Sequence, residues 1–318
     1  MRYAYKRCFA ALLVLILAVS ALLGACSRNV AGDIDQTARY FDNAGSFTLW
    51  WDALALYDAG RDLDNYDIQS VIPSNVQTAD YAGMAKYLLL KAVCEKSGAS
   101  VIWDPVVEQQ YLVELETVLV DSTALTGIPL NQVAYAAMAV LAGSKPGDFD
   151  TTAVRLYILS QQLADGGFSL SASADSGTAP SGDVDTTAML MPLLRLFATD
   201  DVSLAAYDGA VEFLQRAQNT ANDYSSNGNA NSNSTAFALS AAVCANSDGT
   251  RSGWAGDISG ALYKYRLPDG SYSYLLHGNS DELATAQSLI ALCDYNNGAN
   301  LFYTLISESS GNTADTSI

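Results

Sequence analysis

Histidine is nearly absent from this chain: His277 is the only one in 318 residues. No CxxC pair and no Cys/His cluster accompanies it, so no familiar four-ligand zinc set can be assembled. Basic residues are scarce as well, with 16 Lys and Arg against 34 Asp and Glu and a formal charge of −18. A surface so acidic repels phosphates, which excludes nucleic acid and anionic lipid headgroups as direct partners. Period-two runs of β-branched residues bounded by turns are missing, apart from short pieces such as Ser271-Tyr272-Ser273-Tyr274; no extended sheet is expected. The one long apolar run, Phe9 to Leu23, is too short to span a bilayer comfortably.

That run follows Arg2, Lys6 and Arg7 and ends in Leu23-Gly24-Ala25-Cys26, small residues directly before a cysteine. The arrangement resembles a bacterial lipoprotein signal, in which Cys26 is acylated and becomes the new N-terminus. It implies a signal peptide over 1–25 and a membrane partner reached only through lipid. The mature chain would sit on the extracytoplasmic face. Losing the three basic residues would take the charge from −18 to −21. A polar tether over 26–35 and a polar tail over 307–318 bound one domain at 36–306. Of the cysteines left, Cys94, Cys244 and Cys293 fall in apolar helical patterns and read as buried thiols. A bridge between Cys244 and Cys293 stays open as the alternative.

The domain itself is helix after helix. Four helix starts align on an alanine, Ala134, Ala188, Ala236 and Ala286, at separations of 54, 48 and 50 residues, which makes a repeat of roughly fifty. Two earlier segments, Phe47 to Leu56 and Asp80 to Leu89, fit less closely. These six helices are apolar nearly all round. Between them run one-sided segments such as Pro105 to Val120, Thr151 to Leu163, Leu204 to Gln218 and Gly256 to Tyr265. A buried helix alternating with an amphipathic one, six times over, describes two concentric rings whose core is completed only when the ring closes. Asp165-Gly166-Gly167-Phe168 and Asp269-Gly270-Ser271-Tyr272 are turns with glycine where positive φ is needed. The third copy reads as degraded, Asp223-Tyr224-Ser225-Ser226-Asn227-Gly228, running into a polar loop.

These segments, with Trp51 to Leu56, Gln161 to Phe168, Asp183 to Met189, Asn231 to Ala241 and Leu267 to Leu292, resemble the repeat of the terpenoid cyclase and protein prenyltransferase superfamily. The resemblance implies an all-α, α6/α6 toroid. It is nearest to lipid-anchored bacterial toroid proteins and to the helical domain of cobalamin carriers. Two chemistries come with it. Cyclases carry DxDD, whose middle aspartate protonates an alkene; here Asp183-Val184-Asp185-Thr186 places Asp185 at the acid and replaces the third carboxylate by threonine. The prenyltransferase zinc site is not matched, since His277 sits in a turn.

The repeat offers Asp185 a plainer role. Aligned on Thr187-Ala188, it corresponds to Asn131 and Asn233, and all three suit helix N-caps. In the Leu283 repeat, Ser280 or Asp281 takes that place. Asp183 is then the residue left without a structural role and the first candidate to touch a ligand. Around it the rim collects Trp50, Trp51, Tyr81, Tyr135, Phe168, Phe237, Tyr272 and Tyr274 with Asp80, Asp281 and Glu282, apolar walls with a few polar anchors. The expected function is therefore a non-catalytic, membrane-anchored binding protein. A corrinoid is the ligand that the resemblance suggests, with a separate β-rich protein closing over it. The alternatives are an isoprenoid cyclase acting through Asp185 and a cell-surface interaction scaffold.

Overall fold

Helices that are apolar on nearly every side can be buried only by other helices, and the structure arranges them so. The computed structural model describes residues 29–43, 45–74, 76–143, 148–170, 181–226, 228–246 and 252–309. The signal-like segment, Cys8, Cys26, residues 171–180 and the tail from 310 lie outside the described residues. The chain is mostly helical, with fourteen α-helices among the described residues. Six carry the apolar repeat: α2 (Trp50–Asp58), α4 (Tyr81–Ser97), α7 (Leu130–Gly143), α9 (Val184–Phe197), α11 (Ser232–Ala245) and α13 (Glu282–Asn297). Their contacts run in a cycle: α2 on α4, α4 on α7, α7 on α9, α9 on α11, α11 on α13, and α13 back on α2.

A second set packs against the first. Helix α5 (Pro105–Leu119) lies against α4 and α7, α10 (Asp201–Ala217) against α9 and α11, and α12 (Ser252–Leu262) against α11 and α13. Short helices α3 (Ile68–Val71), α6 (Ser122–Leu125) and α8 (Thr152–Ser160) fill the connections. Strands are confined to two two-residue antiparallel ladders, Ser225–Ser226 with Asn229–Ala230 and Tyr272–Ser273 with Ser280–Asp281. Among the described residues no helix is long and apolar enough to cross a membrane. Cys94, Cys244 and Cys293 are free and buried, so Cys244 and Cys293 form no bridge.

Of the expected tether, 26–35, residues 30–35 are helical. Asn29 caps α1 (Val30–Ala38), accepting from the Gly32 N–H at 3.1 Å, and Thr37 and Ala38 are buried. Helix α1 packs on α13. There the Gln36 amide donates to Pro268 O (3.0 Å), and Arg266 pairs with Asp33 (3.0 Å). A Cβ on Gly270, at φ +93°, would come within 2.8 Å of Gln36 O. The expected tail also begins late: α14 (Leu301–Ser309) buries Leu305 and Ile306 and carries Ser307 within it.

One hydrogen-bond unit recurs at the start of three repeat helices. Thr187 Oγ1 accepts from the Phe168 N–H (2.9 Å) and donates to Asp183 O (2.7 Å). Thr235 does the same between Tyr224 (3.1 Å) and Asn231 (2.7 Å), and Thr285 between Tyr272 (2.9 Å) and Asp281 (2.6 Å). Each threonine thus ties the aromatic of the preceding turn to a helix start, and Phe168, Tyr224 and Tyr272 are completely buried. The third turn is not degraded but shifted by two residues. Asn222, at φ +65°, stands where the other copies have Gly166 (+84°) and Gly270 (+93°), because asparagine tolerates the left-handed region. The Asn219 N–H reaches Asp223 O at 3.1 Å, as Leu163 reaches Gly167 (2.9 Å) and Leu267 reaches Ser271 (2.8 Å).

Thr187→Val keeps the shape but leaves the buried Phe168 N–H without an acceptor, at a cost of about 1–3 kcal/mol. Thr187→Ser retains the hydroxyl and is expected to cost less than half as much. Urea unfolding of both variants checks the ordering.

Candidate functional site

Helix starts decide which aspartate is free. The N-cap of α9 is Asp183, whose carboxylate accepts from the Thr186 N–H at 2.7 Å. Asn231 caps α11 (Ser234 N–H, 2.8 Å) and Asp281 caps α13 (Ala284 N–H, 2.7 Å). The expected assignment is therefore reversed for α9 and α11. Asp183 is the structural residue, while Asn131, Asp185 and Asn233 each lie at the second position inside their helices. A residue there is too far along to reach the first orphan N–H groups.

From that position the side chains look inward, as the helical period makes clear. One turn further on, Tyr135, Ala188 with Met189, Ala236 with Phe237, and Gln287 line a central cavity. A second turn on, Met138, Pro192, Ser240 and Ile290 line it again, with Trp51, Asn300 and Phe302 completing the wall. Four helices contribute the same two layers in the same order, so α7, α9, α11 and α13 run parallel. Free space is small, about 30 Å³, room for about two waters. Trp51 has its ring centroid 6.1 Å from Tyr135, 6.0 Å from Phe237 and 6.0 Å from Phe302, all edge-on.

Asp185 lies one turn above this cavity. Its Oδ1 is shut away from water with no hydrogen-bond partner, as are the hydroxyl of Tyr135 and Oδ1 of Asn131. Burial pushes the Asp185 carboxyl up to about 6; the nearby Ser234 hydroxyl steadies the charge a little and Asp183 opposes it. The Ser234 hydroxyl is buried and makes no full hydrogen bond of its own. The Tyr135 hydroxyl is raised by burial and then by the Asp185 charge. In the cavity Gln287, 7% exposed, leaves Oε1 unpartnered. No Lys, Arg or His lines the cavity.

A second carboxylate pair joins the first and last helices of the cycle. Asp52 Oδ2 accepts from the N–H groups of Thr48 (2.9 Å) and Leu49 (2.7 Å), and Glu282 Oε1 accepts from the Thr48 N–H (2.6 Å) and hydroxyl (2.8 Å). Burial, reinforced by Glu282, raises Asp52 to about 8, so it holds a proton at neutral pH.

The aromatic expectations divide. Trp51, Tyr135 and Phe237 meet at the cavity, with the Trp50 ring tilted against Trp51 at 4.6 Å. Phe168 and Tyr272 are fully buried in the turn units and are not available to a ligand. Tyr81 is half-buried at the start of α4, and Tyr274, 42% exposed, stands on the loop before α13 with Leu275 and Leu276. His277 is exposed in that loop, and no metal-binding cluster is found among the described residues. Sequence reading missed Asp52, Gln287 and Phe302. Only Phe302 had a signal, the apolar spacing of Leu301, Phe302, Leu305 and Ile306.

Comparison with known proteins adds no assignment: no protein-family model and no curated protein matches the chain.

Two outcomes separate the aspartates. Asp183→Ala loses a cap and is expected to cost about 1 kcal/mol. Asp185→Asn removes a desolvated, unpaired charge and is expected to leave stability unchanged or raised. For Asp52 the linkage sign is that of a raised acid: its folded form binds the extra proton, so its stabilisation is full below pH 4 and is lost as pH rises through 8. Asp52→Asn, which keeps the acceptor for Thr48 and Leu49, should unfold with a midpoint that declines less between pH 5 and pH 8.5 than the parent's, read by calorimetry.

Proposed function

We propose that this chain is a ligand-binding protein of the extracytoplasmic face, held to its membrane by lipid on Cys26 and built as an α6/α6 toroid. Helices α2, α4, α7, α9, α11 and α13 are its inner ring. The cycle of contacts from α2 to α13 and back supports the ring, and the outward packing of α1, α5, α10 and α12 supports the second layer. The site lies at the N-terminal end of the inner helices, between Asp185 and the aromatic cavity below it.

One observation carries the binding role. Asp185 Oδ1 is buried without a hydrogen bond, an arrangement that costs stability and does nothing for the helix start, which Asp183 already caps. Such a group is kept for use. Binding explains it better than acid catalysis does: a carboxyl at about 6 is mostly ionised at neutral pH, and the third carboxylate of the cyclase motif is Thr186. The cavity also lacks any cation to hold a diphosphate. Its volume limits the ligand to a head group of a few atoms inside the ring. A corrinoid could lie only across the mouth, and a small head group needs no β-rich protein to close over it.

The test is a native mass spectrum of the mature chain purified from membranes. The expected result is an acylated Cys26 together with a small-molecule adduct that Asp185→Asn fails to retain, and no binding of added cobalamin. An adduct kept equally by both forms, or none in either, overturns the reading. Turnover of a squalene-type isoprenoid abolished by Asp185→Asn would establish the acid instead.

A further inference from the structure

Which way the proposed site faces decides where its ligand comes from. Resting on the reading of Cys26 as lipid-bearing and of the site as lying at the N-terminal end of the repeat helices, we propose that this end points away from the bilayer and the opposite end rests on it. The ligand is then drawn from the aqueous phase and is not a membrane lipid.

Helix α1 sets the orientation, because it is the element next to Cys26. Its second half lies at the turn before α13, where Gln36 donates to Pro268 O (3.0 Å) and sits against Gly270. Its first half lies at the far end of α13, where Ala31 and Ile34 share a hollow with Cys293, Asn296 and Asn297. Helix α1 therefore runs against α13, and it begins near the C-terminal ends of the repeat helices. Arg61, just past the end of α2, is at the same level and donates to Asp35 of α1 (2.6 Å).

Length decides what the lipid can reach. Cys26 is three residues from Asn29, the cap of α1, and three extended residues span about 11 Å at most. Helix α13 has 16 residues, about 24 Å of helix. A lipid on Cys26 cannot enter a bilayer lying across the N-terminal ends, whereas it reaches one lying across the C-terminal ends without strain. A ligand carried within the membrane would therefore have no path to the site.

The surface at the C-terminal end suits this contact. Helix α5 runs back along α4: Glu114 accepts from the Ala79 N–H (2.8 Å) just before α4, while Glu108 pairs with Lys91 (3.1 Å) in its later half. Helix α5 thus starts at the C-terminal end of α4, and α10 starts one short turn after α9 ends. Val106 and Val202 stand in those first turns. Ile102 is two residues beyond Ser100, whose N–H donates to Asp64 (2.6 Å) past the end of α2. At 83%, 74% and 71%, Ile102, Val106 and Val202 are the most exposed large apolar side chains among the described residues.

Exposure alone does not choose between the ends, since Val120, Leu170, Leu275 and Leu276 are exposed, each less so, at the other. The position of α1 makes the choice. Asp104 and Asp200, the caps of α5 and α10, stand beside the valines, and Arg61 and Lys96 are paired with Asp35 and Glu308. An end both apolar and acidic fits zwitterionic headgroups at shallow depth and repels anionic ones.

The experiment places the full mature chain in phosphatidylcholine vesicles that carry a fluorescence-acceptor lipid. A maleimide donor dye is put on Ile102→Cys, Val202→Cys or Leu275→Cys; Cys94, Cys244 and Cys293 are buried and stay unlabelled. With the ends about 24 Å apart in height, energy transfer to the lipid is expected to be roughly twice as efficient, or more, from Ile102→Cys and Val202→Cys as from Leu275→Cys. Equal transfer from all three, or more from Leu275→Cys, overturns the orientation. A phospholipid or isoprenoid as the adduct in the native mass spectrum overturns the aqueous source. The mass of the chain separates the two readings. If Cys26 is acylated and the chain floats with the vesicles while Leu275→Cys transfers best, the anchor stands and the orientation falls. If Cys26 is unmodified and the chain stays in solution, both fall.

Discussion

Helices α2 and α13 meet across almost the whole length of the sequence, with Thr48 hydrogen-bonded to Glu282, 234 residues away. Without that contact each end of the helix row would expose an apolar face, and the row would have edges prone to association. The seam is made from groups that are awkward to bury. Asp52 and Glu282 both take the Thr48 N–H, and two carboxylates in such proximity cannot both ionise cheaply, so one proton stays with them. On the outside, α1 finishes the joint by laying Gln36 against Gly270, where no side chain could fit. Closure therefore depends on one glycine, one shared proton and a helix whose composition reads as polar.

After α13 the chain turns back onto the other repeat helices. After Gly298, at φ +65°, Asp294 accepts from the Leu301 N–H (2.7 Å) and the Asn300 amide (3.2 Å) and so launches α14 back across the ends of α7 and α9. Burial raises both Asp294 and its neighbour Asp58, the same proton-holding solution seen at the other end of these two helices. Phe302 then reaches the rings of Trp51 and Tyr135. Phe302 of α14 and Asn300 just before it form part of the cavity wall. The cavity's polar groups lie at both levels, Gln287 in the first layer and Ser240 with Asn300 in the second.

The repeat was legible because its helices are apolar on every side and restart at a fixed spacing, a pattern that survives changes of individual residues. Turn chemistry was legible only where glycine marks it. Asn222 performs the same turn without glycine, so the third copy looked degraded two residues away from where it lies. Helix α1 was hidden because its buried face is only Thr37 and Ala38 beside half-buried Ile34, too little apolar area to announce burial. Asp52 gave no sign because its environment is set by Glu282, from the far end of the chain. What could not be read was whatever depends on two distant segments meeting.

The two aspartates of Asp183-Val184-Asp185 show why the site in particular resisted reading. Residue type alone suits either position to capping, and an alignment on the following Thr-Ala cannot say which of the two stands outside the helix. The threonine settles it. Thr187 bonds the carbonyl of Asp183, four residues back, which fixes Asp183 at the cap and turns Asp185 through two residues, about 200°, toward the axis. The same bond in Thr235 and Thr285 sets Asn231 and Asp281 as caps, and leaves Asn233 and Leu283 at the inward position. Across four repeats that position reads Asn131, Asp185, Asn233 and Leu283: three uncharged residues and one carboxylate. Asp183, Asn231 and Asp281 already cap α9, α11 and α13, so nothing in the helix start requires a carboxylate at Asp185.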